Sequence, residues 1–124
     1  MKFSEMPYKR IDMEEVAKEY KSIIERTKNA KSGEEQFEIH REYYKFTADV
    51  QTSMELAMIR HDIDTTDEFY EKESDFYDEV GPIISQYENE YGKVLYDSPY
   101  RDYLESKIGK VTFKNIEIAN KAFD

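Results

Sequence analysis

The sequence predicts an all-α fold, an antiparallel helical bundle of about five helices that forms a single helical domain over residues 1–124. Apolar residues recur at steps of three and four through most of the chain, which is the spacing of one helix face. The composition of 39% hydrophobic and 37% charged residues favours helices with one solvated face over a sheet sandwich. A length of 124 residues suffices for one modest core, to which 11 tyrosines and 7 phenylalanines contribute much of the packing volume.

Capping signals position the first two helices. Asp12 and Glu15 have the spacing of a capping box, so the first helix is predicted to begin at Asp12. Ser32 and Glu35 have the same spacing and predict a long second helix over about 34–60. The predicted inner residues of these two helices are Met13, Val16, Tyr20, Ile23 and Ile24, then Ile39, Tyr43, Phe46, Val50, Met54 and Ala57.

The third helix is predicted to be long and to follow a polar turn at 61–66. Two neighbouring apolar rows give it a wide inner face. One row contains Phe69, Phe76, Val80, Ile83, Tyr87 and Val94, and the other contains Tyr70, Tyr77, Ile84 and Tyr91. Glu73 and Glu90 interrupt the first row, so the seam is imperfect. The three-and-four spacing of apolar residues continues without a shift across Gly81-Pro82. Pro82 is therefore predicted to kink one helix rather than to separate two.

The two ends of the chain are predicted to differ. Residues 1–11 are expected to form an extended lead-in. Ser98 as N-cap and Pro99 at the first helical position predict a fourth helix, which Gly109 ends as a C-terminal cap. A fifth helix is predicted from Val111, with the inner residues Phe113, Ile116, Ala119 and Phe123. This pattern is still running where the sequence ends, which would fit a fragment of a longer protein.

The polar turn before the third helix offers several competing caps. Thr65 with Glu68 has capping-box spacing, and Asp64 could cap the helix with Asp67 in its first turn. His61 is either an interface or pH-sensitive residue, or a cation that stabilises the end of the second helix. The second interpretation of His61 is favoured.

A calcium loop is a weaker alternative for the same stretch. Asp62, Asp64 and Thr66 alternate, and Glu73 follows Asp62 by eleven positions, which resembles the ligand spacing of an EF-hand. The position that requires glycine is Asp67, however, and helix capping explains these residues without a metal.

Charge and motifs argue against several classes of function. The net charge of −10 disfavours binding to nucleic-acid phosphates or to an anionic membrane. The chain lacks cysteine and the motifs His-Glu-x-x-His, Glu-x-x-His and Gly-x-Ser-x-Gly, so we predict no catalytic, metal-binding or cofactor-binding residue in it. His40 is expected on a solvated face beside Glu38 and Glu42. Without a signal-peptide core or a long apolar run, the protein is expected to be soluble and cytoplasmic.

Two surfaces are candidates for binding a partner. The charges from Asp62 to Glu79 are negative except at Lys72 and could attract a basic partner, although a solvated helix face is the favoured interpretation. A row of tyrosines could line a peptide groove, although residues at helical spacing are expected in the core or at its margin. These tyrosines are Tyr70, Tyr77, Tyr87 and Tyr91.

The stretch IRHDIDTTDEFYEKE, residues 59–73, resembles the N-terminal region of oligoendopeptidase F-type zinc peptidases. The opening MKFSEMPYKRIDMEEVAKEYKSIIERTKNAKSGEEQFEIHREYYKF is similar to the start of the same family, as are SPYRD at 98–102 and Gly109-Lys110. The resemblance covers essentially all of the chain, and its strongest part is residues 59–73.

The resemblance implies a non-catalytic N-terminal helical lobe of a larger zinc peptidase. It implies zinc and a His-Glu-x-x-His motif in a separate catalytic lobe of the same polypeptide, with short peptides as substrates, and none of the family's zinc ligands matches a position here. From the polar turn itself we predict an interlobe or turn-forming role for Arg60, His61, Asp62, Asp64 and Asp67. An isolated lobe would expose a patch that drives self-association. The alternative is a standalone acidic helical module that binds a protein or peptide and has no peptidase activity.

Overall fold

A computed structural model describes residues 7–123, which form five helices connected by short loops. The helices are α1 (Met13–Asn29), α2 (Gly33–Ile63), α3 (Glu68–Tyr96), α4 (Arg101–Ile108) and α5 (Lys110–Phe123). The all-α prediction is confirmed, and α2 and α3 are the long helices, with 31 and 29 residues. The first six residues of the predicted lead-in and Asp124 lie outside the described residues, as does the side chain of Phe123.

Local capping determines where α1 and α2 begin. The Asp12 carboxylate accepts hydrogen bonds from the backbone N–H groups of Glu14 and Glu15, as expected of an N-cap. The Ser32 hydroxyl accepts from the N–H of Glu35 at 3.1 Å. Both predicted helix starts are therefore confirmed.

The start of α4 differs from the prediction. The helix begins at Arg101 rather than at Pro99, and Ser98 is not its N-cap. Ser98 is buried, and its hydroxyl donates to Gln36 Oε1 at 2.5 Å while accepting from the N–H of Tyr100 at 3.0 Å. The hydroxyl thus connects α2 to the turn before α4. The predicted cap Gly109 does end α4, with φ of 109°.

Side-chain contacts define the direction of the helices. Tyr20 contacts Tyr43 on α2 and Glu88 on α3, whereas Arg60 near the end of α2 contacts Tyr70 near the start of α3. Consecutive long helices therefore run antiparallel, with α1 and α3 parallel to each other. The central helix is α3, because α1, α2 and α5 all pack on it. It continues through Pro82, as predicted.

The core consists of two adjoining clusters along α3. One cluster centres on Tyr20 and Tyr77, and the other on Tyr91 and Phe113. Both predicted rows on α3 contribute to the core, since Tyr77 and Ile84 of the second row and Val80 of the first are buried. Phe69 and Ile83 of the first row are exceptions, at 55% and 42% exposed. No helix within residues 7–123 is both long and apolar enough to cross a membrane.

Candidate functional site

The predicted polar turn is shorter than expected because α2 extends to Ile63. Arg60, His61 and Asp62 therefore lie in the last turn of the helix, and the prediction of a turn from His61 is wrong. Asp64 follows the helix, and its Oδ1 accepts from the Thr66 N–H at 3.0 Å and from the Thr66 hydroxyl at 2.6 Å. These hydrogen bonds lower the pKa of Asp64 and close the turn locally.

Asp67 caps α3, rather than Thr65 or Asp64. Its carboxylate accepts from the N–H groups of Phe69 at 2.9 Å and Tyr70 at 3.4 Å. Asp64 is unavailable for this role because its carboxylate is engaged by Thr66. The predicted capping box of Thr65 with Glu68 does not form, because Glu68 is already the first residue of α3.

Arg60 joins the two helices across the turn. Its Nη1 donates to the Tyr70 hydroxyl at 2.8 Å, and its guanidinium lies 5.7 Å from the centre of the Tyr70 ring. His61 is partly buried, and its Nδ1 has no hydrogen-bond partner in the structure over residues 7–123. Asp62 is exposed. The structure thus brings the five predicted residues together at one end of the α2–α3 hairpin.

This hairpin tip, defined as residues 58–69, also carries exposed apolar side chains. Met58 is 45%, Ile63 is 73% and Phe69 is 55% exposed. The Phe69 ring also packs against Tyr8 and Tyr70. The tip therefore combines an ordered polar turn with three partly exposed apolar side chains.

The EF-hand alternative fails at its last ligand, since Glu73 is buried in another interaction. Arg10 donates from Nε to Glu73 Oε1 at 3.0 Å and from Nη2 to Oε2 at 2.5 Å. Tyr8 donates to the same Oε1 at 2.6 Å. These partners outweigh the effect of burial and lower the pKa of Glu73. The carboxylate attaches the segment before α1 to α3.

Sequence reasoning missed this cluster, although two signals were present. Glu73 interrupts an apolar row, and the lead-in supplies a cation and a phenol from Arg10 and Tyr8. The Tyr8 hydroxyl lies 3.0 Å from the Tyr77 hydroxyl, and Arg10 stacks over Phe76 at 4.3 Å. Burial and the hydrogen bond to Glu73 raise the pKa of Tyr8 well above its ordinary value. An acidic residue at an inner helix position was therefore the sequence signal of the ion pair between Glu73 and the distant Arg10.

The prediction of a solvated His40 is also wrong. Its Nδ1 lies 2.8 Å from the Tyr91 hydroxyl, and its ring stacks on Tyr91 with centroids 6.0 Å apart. The Tyr43 ring also stacks on the Tyr91 ring, with centroids 3.8 Å apart. Burial lowers the pKa of His40. The neighbouring Glu38 and Glu42 are exposed, so the helix turns His40 inward between solvated residues.

His40 lines a cavity of about 430 Å³ between α2, α3 and α5. Tyr43 and Tyr91 line it together with Asn89 and Asn120 from the facing helices. Within residues 7–123, no three side chains of His, Asp or Glu come close enough to hold a metal ion.

The described residues thus form an all-α bundle with an exposed tip on the α2–α3 hairpin. Residues 3–123 match the family model of the Peptidase M3 N-terminal domain, and the chain belongs to this family. Among curated proteins, none matches this chain.

Solved structures agree with the family assignment. A structure of PZ peptidase A with an inhibitor is 39% identical to this chain and superposes with a TM-score of 0.94. The match covers 97% of this chain and 21% of the PZ peptidase A chain. A structure described as an oligoendopeptidase F from Bacillus anthracis strain Ames is 37% identical to this chain, with a TM-score of 0.94. The match covers 98% of this chain and 22% of the Bacillus anthracis chain. A further assigned oligoendopeptidase F is 36% identical over 98% of this chain. The chain thus spans about a fifth of the length of these relatives.

Proposed function

We propose that this chain is the non-catalytic N-terminal helical domain of a zinc-dependent oligoendopeptidase that hydrolyses short peptides. The observation that carries the proposal is a family match over residues 3–123 together with solved relatives of which the chain covers only 21–22%. In the complete protein, a catalytic lobe of the same polypeptide supplies the zinc ion and hydrolyses the peptide bond. The bundle, acting as one domain over residues 1–124, shapes the substrate channel and packs on that lobe in the cytoplasm.

The hairpin tip is the surface that we assign to the interlobe contact. Five residues fix the conformation of the tip or face the other lobe, namely Arg60, His61, Asp62, Asp64 and Asp67. The support is the exposed apolar side chains of the tip and the buried Nδ1 of His61, which lacks a partner in residues 7–123. A covering lobe could bury the apolar side chains and supply a group to the imidazole.

A chimera tests the proposed function. The chain replaces the matching segment of an oligoendopeptidase F relative, and hydrolysis of a quenched fluorescent short peptide is measured beside digestion of a folded protein. We expect the chimera to cleave the peptide in a zinc-dependent manner and to leave the folded protein intact. We expect the chain alone to show no hydrolysis.

Two results would contradict this proposal. One is chelator-sensitive peptide hydrolysis by the purified chain alone, which would make it an enzyme in its own right. The other is a folded chimera that cannot cleave peptides, although the relative with its own segment does. Circular dichroism and gel filtration of the chimera distinguish the second result from simple misfolding.

The tip assignment is tested by self-association of the isolated chain. We expect concentration-dependent dimers in sedimentation velocity, which Ile63→Ser weakens because it removes apolar area from the tip. Val111→Ser is the matched control, since Val111 is 72% and Ile63 is 73% exposed but Val111 lies on α5. A monomer at all concentrations, or equal effects of both substitutions, would contradict the tip assignment and leave the proposed function untouched.

A further inference from the structure

A strap of irregular backbone, residues 7–12, precedes α1 and is bonded to α3. Because irregular backbone forms no helical or sheet hydrogen bonds, its order depends on contacts with the rest of the fold. The Arg10 side chain donates two hydrogen bonds to the Glu73 carboxylate. The backbone N–H of Ile11 donates to the Tyr77 hydroxyl at 3.4 Å. The strap is therefore held against the first half of α3.

Tyr8 carries these contacts from the strap to the hairpin tip. Its hydroxyl donates to Glu73 Oε1 at 2.6 Å, and its ring lies against those of Phe69 and Tyr70, with centroids 6.2 and 5.8 Å away. The rings of Phe69 and Tyr70 also contact each other, with centroids 4.9 Å apart. The Tyr70 hydroxyl accepts a hydrogen bond from Arg60 at 2.8 Å. A continuous series of contacts therefore leads from the strap to the last turn of α2.

The buried core does not extend into the hairpin tip. Ala57 is the last buried residue of α2 and Glu73 is the first buried residue of α3, and none of residues 58–72 between them is buried. The hydrogen bonds accepted by Asp64 and Asp67 set the local shape of the turn, but they join residues only two or three positions apart. The orientation of the tip on the bundle therefore depends on partly exposed contacts, of which those with the strap come from outside the hairpin.

We propose that the strap positions the hairpin tip for its contact with the other lobe of the polypeptide. A two-pronged, charge-assisted hydrogen bond is directional, so the pair of Arg10 and Glu73 fixes where Tyr8 lies. The Tyr8 ring in turn restricts the two rings at the start of α3. Loss of the Tyr8 ring would allow the tip to sample more orientations, which would then have to be ordered on docking. The interlobe contact rests on the proposed function, whereas the hold of the strap on the tip does not.

Hydrogen exchange of the purified chain, read by NMR, tests this positioning role. The reporters are the hydrogen-bonded backbone N–H groups of Asp64 and Asp67 in the tip. The reference is the turn before α4, at the other end of α3, where the N–H groups of Asp97 and Arg101 are hydrogen-bonded. We expect Tyr8→Ser to speed exchange in the tip about tenfold and to change exchange in the reference turn less than about twofold, because separate turns open locally with separate free energies.

Two milder variants carry the test if Tyr8→Ser does not fold. Tyr8→Phe keeps the ring and loses the hydroxyl, so it should speed exchange in the tip less than Tyr8→Ser does. Arg10→Gln removes the ion pair and should speed exchange in the tip about threefold.

Arg26→Gln is the matched control for Arg10→Gln and should leave exchange in the tip unchanged. The Arg26 and Arg10 side chains are 44% and 46% exposed, and each pairs with a glutamate, but Arg26 joins α1 to α2. Unchanged exchange in the tip of the folded Arg10→Gln variant, or equal acceleration in the tip and in the reference turn, would overturn the proposal. Neither result involves peptide hydrolysis, so the chimera remains a separate test of the proposed function.

Discussion

Arg10 and Glu73 form a two-pronged ion pair between residues 63 positions apart in the sequence. The Glu73 side chain is 5% exposed, whereas that of Arg10 is 46% exposed. The acid is thus enclosed by the fold, and the base reaches it from the surface. This pair and the Tyr8 hydroxyl fasten the segment before α1 to the first half of α3.

Removal of the acid should destabilise the bundle. Glu73→Ala leaves the hydrogen-bonding groups of Arg10 and Tyr8 without their acceptor, and we expect a loss of about 2 kcal/mol in the free energy of unfolding. The measurement is urea denaturation followed by circular dichroism. Glu90→Ala is the control on the same helix, because Glu90 is exposed, and its effect should stay within about 0.5 kcal/mol. Equal effects of the two variants would contradict a structural role for the ion pair.

The same carboxyl group should contribute to acid sensitivity. Its pKa in the folded chain is lowered from 4.5, so its stabilising effect is complete above about pH 4.5 and declines as the pH falls through the lower folded value. Glu73→Gln cannot lose a charge, so its unfolding free energy should vary less with pH in this range. Parallel stability curves for the two proteins below pH 4.5 would contradict the assignment.

His40 should affect the stability of the folded chain at higher pH than Glu73 does. Burial lowers its pKa below the ordinary 6.5, so below that pH the unfolded chain binds more protons than the folded chain and stability decreases. We expect the ring protons of His40 to titrate below pH 6.5 in NMR spectra, and His40→Gln to weaken the decline in melting temperature on acidification. A midpoint at or above 6.5 would show that the imidazole is solvated or paired with an anion.

The capping of α3 gives a prediction at the hairpin tip. Asp67→Ala removes the acceptor for two N–H groups of the first turn, so we expect a cost of about 1 kcal/mol in the unfolding free energy. Asp62→Ala, a change of the same type at an exposed position a few residues away, should have a much smaller effect. Thermal unfolding of both variants decides the matter. A larger loss for Asp62→Ala would mean that the turn is organised differently.

Gly109 should not tolerate a side chain. It has φ of 109° and ψ of 146°, a conformation that alanine adopts only with strain, so Gly109→Ala should cost about 1–3 kcal/mol in the free energy of unfolding. Chemical denaturation measures the change. An unchanged or increased stability of Gly109→Ala would contradict this account of the α4–α5 joint.

Helix starts controlled by neighbouring residues were predictable from the sequence. Asp12 and Ser32 cap groups that lie two or three positions further on, so the signal is contained in a few residues. The start of α3 was not predictable in this way, because Asp64, Thr65 and Asp67 all had suitable side chains. The choice among them depended on how far α2 extends, which local spacing does not determine.

The candidate sites depend on contacts between distant residues. His40 meets Tyr91 over 51 positions, and its neighbours in the sequence suggested only a solvated face. The buried acid Glu73 was visible as a break in a pattern, but its cation lies in an extended segment that carries no periodicity. The family could be recognised by a resemblance that is strongest in residues 59–73, and the family match over residues 3–123 confirms it. No composition or spacing argument identified the peptidase lobe independently.

The aromatic residues Tyr43, Phe46 and Tyr87 pack against both core clusters. Neither end of the bundle can therefore open without exposing rings that the other end uses. The most protected backbone amides at the two ends of α3 should accordingly exchange with solvent deuterium through one shared opening reaction. Local opening units of a protein can have separate opening free energies, whereas the shared rings are expected to couple the two halves of this bundle.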